Sequence, residues 1–114
     1  MILKRCDIAV TTNGSGAASA VSGPINGEIL AIGYVKGTVN AGTTAVITTT
    51  NPVAQSIDSY DVNTGNAVRY PRAAVLGSAA GDNKWCPFVV EDSLTITVTG
   101  GALSKAFSVQ VFYR

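Results

Sequence analysis

Hydrophobic and polar positions alternate with a period of two along most of this chain, and a helical spacing is sustained nowhere. In residues 2–10, Ile2, Cys6, Ile8 and Val10 alternate with Leu3, Arg5, Asp7 and Ala9, with one lapse at Lys4. Successive side chains of an extended strand leave opposite faces, so this run predicts a half-buried strand. Residues 11–23 are Thr, Asn, Gly, Ser and Ala apart from Val21, with an Asn13-Gly14 turn signal, and Gly23-Pro24 closes them. They predict a long, mobile polar loop holding a short strand near Ala20. Within 25–36, Leu30, Ile32 and Tyr34 face one way and Ile29, Ala31, Gly33 and Val35 the other. Both faces are covered, as in a central strand.

Residues 44–50 are dominated by β-branched side chains, which crowd a helix at χ1 and suit a pleated surface. Asn51-Pro52 breaks the run. Weaker strands follow at 53–62 and 67–70, separated by the turn Asn63-Thr64-Gly65-Asn66. Pro71 lacks an N–H and bends the chain before an edge strand over 72–76. Residues 77–87 form a loop with Gly81-Asp82-Asn83 at its tip. Leu94, Ile96 and Val98 alternate with Thr95, Thr97 and Thr99, and beyond Gly100-Gly101 Phe107, Val109, Val111 and Tyr113 alternate with Ser108, Gln110 and Phe112, which predicts a C-terminal hairpin. The sum is an all-β chain: an antiparallel β-sandwich of jelly-roll type with seven or eight strands, or a barrel. Residues 1–114 are one domain, with an N-terminal strand and polar loop (1–24) and a main sandwich (25–114). The expected core is Leu30, Ile32, Leu94, Ile96, Val98, Phe107, Val109 and Val111.

Composition narrows what such a body can do. The 114 residues carry 13% charged and 46% hydrophobic side chains, net charge +1 and no histidine. Disorder is excluded by the apolar share, and the near-neutral balance gives no basic field for nucleic acid. Without histidine the chain lacks the commonest general base near neutral pH, the commonest zinc ligand and every Ser-His or Cys-His nucleophile. The chain therefore reads as not an enzyme, with no cofactor. Cys6 and Cys86 are too few for a disulfide framework and read as two separate thiols of a reducing compartment. The opening Met1-Ile2-Leu3-Lys4-Arg5 runs into Asp7 and polar residues, unlike a secretory signal, and no segment is apolar enough for a membrane span.

Candidate chemistry is thin. Glu91 and Asp92 are adjacent and, on a strand, point to opposite faces, so they do not flank one substrate. Asp58, Asp61 and Asn63 supply oxygen atoms without the spacing of a calcium loop, and no metal is expected. The glycines lack the context of a phosphate-binding loop. Tyr34, Phe88, Phe107 and Tyr113 sit in or beside strand patterns and read as core. Trp85 either plugs one end of the body or stands out as a contact anchor. Tyr60 and Tyr70 with Arg69 and Arg72 are candidates for a sugar-binding or protein-binding surface, against the plainer reading of edge residues shielding the sheet.

The segments Gly27-Glu28-Ile29-Leu30-Ala31-Ile32-Gly33-Tyr34, Thr44 to Thr50, Tyr70-Pro71-Arg72, Leu94-Thr95-Ile96-Thr97-Val98-Thr99-Gly100-Gly101 and Phe107-Ser108-Val109-Gln110-Val111-Phe112-Tyr113 together resemble small structural proteins of tailed bacteriophages. The resemblance runs from Ile25 onward and rests on strand and turn patterns. It implies a head decoration (cement or staple) protein on the outer capsid surface, assembled in the host cytoplasm. Its partner would be the major capsid protein shell, with self-association as a dimer or trimer, and no nucleic acid or membrane. Met1, Ile2, Leu3, Lys4 and Arg5, with Trp85, Tyr70 and Arg72, are the candidate contact residues, and the 11–23 loop is a further one. The competing readings are a carbohydrate-binding, lectin-like module and a head-tail connector or tail component.

Overall fold

The computed structural model describes residues 3–40, 42–51, 54–74, 85–99 and 104–114. The strands are β1 (Lys4–Thr11), β2 (Ala18–Val21), β3 (Gly27–Val35), β4 (Thr44–Asn51), β5 (Gln55–Asp61), β6 (Ala67–Arg69), β7 (Ala73–Ala74), β8 (Trp85–Cys86), β9 (Val89–Thr99) and β10 (Ala106–Tyr113). A 3-10 turn at Val62–Thr64 joins β5 to β6, capped by the Asp61 carboxylate, which accepts the Asn63 N–H. Eight strands form one large antiparallel sheet, and β7 pairs with β8 separately.

The ladders are nested. β1 pairs with β10, β2 with β9, β3 with β6 and β4 with β5. Two further ladders, β10 with β3 and β9 with β4, gather the strands into the orders β1-β10-β3-β6 and β2-β9-β4-β5. The two orders join where Gly27 and Glu28 pair with Val90 and Val89. Just beyond, Asp92 takes φ 85°, a left-handed conformation that Asp tolerates better than most residues. Its N–H donates to Asn26 Oδ1 and its carbonyl accepts the Ile25 N–H, so the bend that carries β9 from one group to the other is pinned on both sides.

Period-two burial runs through these strands as the sequence pattern requires. Ile8 and Val10 on β1, Ile47 on β4, Leu94, Ile96 and Val98 on β9, and Phe107, Val109 and Val111 on β10 all enter one core. The polar stretch before β2 is ordered about Asn13, whose side-chain oxygen accepts the Ser15 N–H, the Ser15 hydroxyl and the Ala17 N–H.

Three expectations are corrected. Leu30 is half-buried while Ile29 is fully buried, because the β3–β10 register skips a residue: Phe112 faces Ala31 but Tyr113 faces Ile29. A one-residue slip exchanges the two faces of a strand. The C-terminal hairpin does not form. β9 pairs with β2, β4 and the start of β3, whereas β10 pairs with β1 and β3. Alternation shows which face of a strand is buried and is silent on its neighbour. The predicted loop 77–87 holds β8 at its end, and its part up to residue 84 lies outside the described residues.

Candidate functional site

The described residues place their most organised polar cluster where β6 meets β5 without a backbone ladder. Tyr34 on β3 is buried and its hydroxyl donates to Asp58 Oδ2 on β5 at 2.7 Å. Arg69 on β6 donates from Nε to both oxygens of the same carboxylate, at 3.1 and 2.9 Å. Its guanidinium lies 5.1 Å from the centre of the Tyr60 ring, and Tyr60 packs on Tyr34 at 4.7 Å and donates to the Gly65 carbonyl. The Asp58 side chain is only 8% exposed, so its charge is held by three donor contacts in place of water. The group is a clasp between two strand edges.

Burial pushes the Tyr34 phenol far above its usual range, and both the hydrogen bond to Asp58 and that carboxylate's charge add in the same direction. A tyrosine of the unfolded chain ionises near pH about 10. The folded chain then holds a proton that the unfolded chain has lost, so the stabilisation is complete below that pH and declines as pH rises above it. We expect a fall in urea midpoint above pH about 10 that is shallower in Tyr34→Phe, measured against the same variant at pH 7. Equal slopes in the two proteins would show that Tyr34 ionises freely in the folded state.

Over the clasp, β6 stands as a rib between two open hollows. Gly33, Val35, Asn66, Ala67, Val68 and Gln110 line one of about 310 Å³. Asp58, Val68, Arg69, Tyr70 and Pro71 line the other, of about 380 Å³. Gly33 gives the first a bare backbone floor beside Gln110, whose Oε1 would stand 3.4 Å from a Cβ placed there. On the rib, Val68 is 56% and Tyr70 67% exposed.

The candidate contact residues are not gathered into one site. Leu3, just before β1, and Lys4 and Arg5 on it are exposed; Arg5 pairs with Asp7 and the Lys4 ammonium lies 5.9 Å from the Tyr113 ring centre. Tyr70 and Arg72 lie beyond the opposite edge of the same strand group, past β10 and β3. Arg72 is half-buried and donates from Nη1 to the Leu30 and Pro71 carbonyls, which gives it an anchoring part. Met1, Ile2 and the Trp85 side chain lie outside the described residues. Tyr60 is covered by Arg69, so it forms no platform with Tyr70. Glu91 and Asp92 are both exposed, Asp58 is taken by the clasp and Asp61 by its turn, and no group of metal-ligating side chains occurs among the described residues. Cys6 on β1 and Cys86 on β8 are half-buried free thiols.

The clasp escaped the sequence reading. One signal for it existed: a tyrosine placed in the core needs a partner for its hydroxyl, and no local residue supplies one.

A second surface has a different character. On β4 and β9, Thr44 stands opposite Thr99, Val46 opposite Thr97 and Thr48 opposite Thr95. β2 extends the rows with Ser19 and Val21. No charged residue occurs in β2, in β4 or in residues 94–99. Set against known proteins, the chain matches no family model, no curated protein and no solved structure.

Proposed function

We propose that this chain is a non-catalytic head decoration protein of a tailed bacteriophage, which binds the outer face of the capsid shell and stiffens it. Its body in this reading is a β-sandwich of jelly-roll type. The nested ladders support that architecture: a ribbon in which β1, β2, β3 and β4 pair in turn with β10, β9, β6 and β5, once rolled, yields the orders β1-β10-β3-β6 and β2-β9-β4-β5 as two facing layers. A core drawing buried residues from both groups fits such facing layers.

The observation that carries the function is the charge-free hydroxyl and methyl face of β2, β4 and residues 94–99 of β9. A surface without charge loses little on desolvation against a neighbour, and ordered β-branched side chains lose little rotamer freedom. One module offers about 800 Å² or less to a partner, and repetition over identical lattice sites, with dimer or trimer contacts between modules, raises the combined hold. The resemblance of the strand and turn patterns to small phage structural proteins is in keeping with this reading. Assembly in the host cytoplasm accords with the free thiols.

The test mixes purified protein with expanded capsid shells lacking it. Saturable binding and a higher shell melting temperature are expected, and Thr97→Lys, on the exposed face of β9, should weaken attachment about tenfold or more without unfolding the domain. Shells that neither bind the protein nor gain stability at saturation would overturn the reading.

A further inference from the structure

We infer that the surface astride β6 is a binding site for a neutral oligosaccharide, an activity independent of shell attachment. Its polar groups are of the planar kind that pair with vicinal hydroxyls. Arg69 spends Nε on Asp58, and its Nη1 and Nη2 make no hydrogen bond within the described residues. The guanidinium is nevertheless fixed in plane by the carboxylate and from one side by Tyr60. Two parallel donors therefore face solvent in one orientation, with little left to order on binding. Beyond the rib, the Gln110 carboxamide makes no hydrogen bond within the described residues, and it stands over the bare backbone of Gly33. Asn66 Oδ1 accepts the Lys36 N–H, which aims the amide and leaves its NH2 as a donor.

Tyr70 supplies the remaining element. It is the most exposed large hydrophobic residue of the described chain and borders the Arg69 hollow. A phenol ring in that position accepts the C–H face of a sugar while leaving its hydroxyls to the guanidinium. Charge selects the neutral class. Asp58 offsets the Arg69 charge at 2.9 Å, and Arg72, whose Nη1 is held by two carbonyls, keeps its charge but lines neither hollow. Length follows from the layout: hollows on both sides of one strand, sharing Val68, suit an extended ligand of two or more rings better than a single compact one.

The experiment titrates the full chain with maltotriose, cellotriose and triacetylchitotriose, and separately with a heparin-derived hexasaccharide, while the tyrosine ring, arginine Nε and glutamine side-chain amide resonances are followed. At least one neutral trisaccharide should give saturable shifts at Tyr70, Arg69 and Gln110 with a Kd in the millimolar range, about −4 kcal/mol. Tyr70→Ala should weaken it about tenfold and Gln110→Ala several-fold, with Tyr70→Phe close to the parent protein. Both residues face solvent at least in part, so melting temperatures should stay near that of the parent, and lost binding then reports the site. Three results would each overturn the inference: no saturable shift with any neutral trisaccharide at about 20 mM, unchanged affinity in Tyr70→Ala, or binding confined to the acidic hexasaccharide.

Discussion

Ile96→Ala should lower the unfolding free energy by about 2–5 kcal/mol, a large share of the roughly 5–15 kcal/mol that holds a domain of this size together. Ile96 is fully buried on β9, the strand with neighbours on both sides, opposite Ala20 of β2 and Ile47 of β4. Removing three carbons there loses their transfer free energy and leaves a cavity that two flanking ladders keep from collapsing. Ile29→Ala should cost a similar amount, since Ile29 is also fully buried, whereas Leu30→Ala should cost less than about half as much. The contrast between these neighbours tests the irregular register beside Tyr113. Urea unfolding of the three variants decides it, and equal losses at Ile29 and Leu30 would return β3 to unbroken alternation.

That pair also marks how far the chain can be read without its structure. Strands with one wet face declare themselves: Arg5, Asp7 and Ala9 against Cys6, Ile8 and Val10, or Thr95, Thr97 and Thr99 against Leu94, Ile96 and Val98, have the burial that alternation requires. β3 does not, because Ile29, Leu30, Ala31 and Ile32 are apolar on both sides and only the partner strand decides which of them enters the core. Partner choice is nonlocal. The β9 and β10 strands look like a hairpin because they are consecutive, yet β10 is enclosed by β1 and β3, from the far end of the chain. The same reason hides the clasp. Tyr34, Asp58 and Arg69 are separated by 24 and 11 positions and meet only after β3, β5 and β6 have found their places. Tyr70 was visible as an aromatic beside arginines, but its distinction from Tyr60 lies wholly in which of the two is covered by Arg69.

Gly37→Ala should be strongly destabilising for a change that adds a single methyl group. Gly37 leaves β3 with φ 59°, in the left-handed region where an L side chain costs roughly 1–2 kcal/mol. Conformation is the smaller part of the argument. A Cβ on Gly37 would meet the Ala106 carbonyl oxygen at 2.3 Å and its carbon at 3.1 Å, so one of the two backbones has to move. Ala106 is poorly placed to yield. Its carbonyl accepts the Thr38 N–H at 2.9 Å, and its own N–H donates to Thr38 Oγ1 at 2.9 Å. Displacing the carbonyl therefore loosens the closure between the end of β3 and the start of β10, just before Phe107 enters the core. Strain of this kind adds about 1–3 kcal/mol, giving a combined loss of about 2–5 kcal/mol. Gly14→Ala is the control, since a Cβ there has nothing within 4 Å and its φ lies outside the left-handed region. It should leave stability within about 0.5 kcal/mol of the parent. Gly65→Ala shows conformational cost without a clash, since Gly65 has φ 134° and ψ −178°, a region that L side chains avoid more strongly than that of Gly37, with no atom within 4 Å of the added carbon. If Gly37→Ala costs no more than the roughly 1–2 kcal/mol of the left-handed conformation in urea unfolding, backbone conformation alone is responsible and the Thr38–Ala106 closure yields freely.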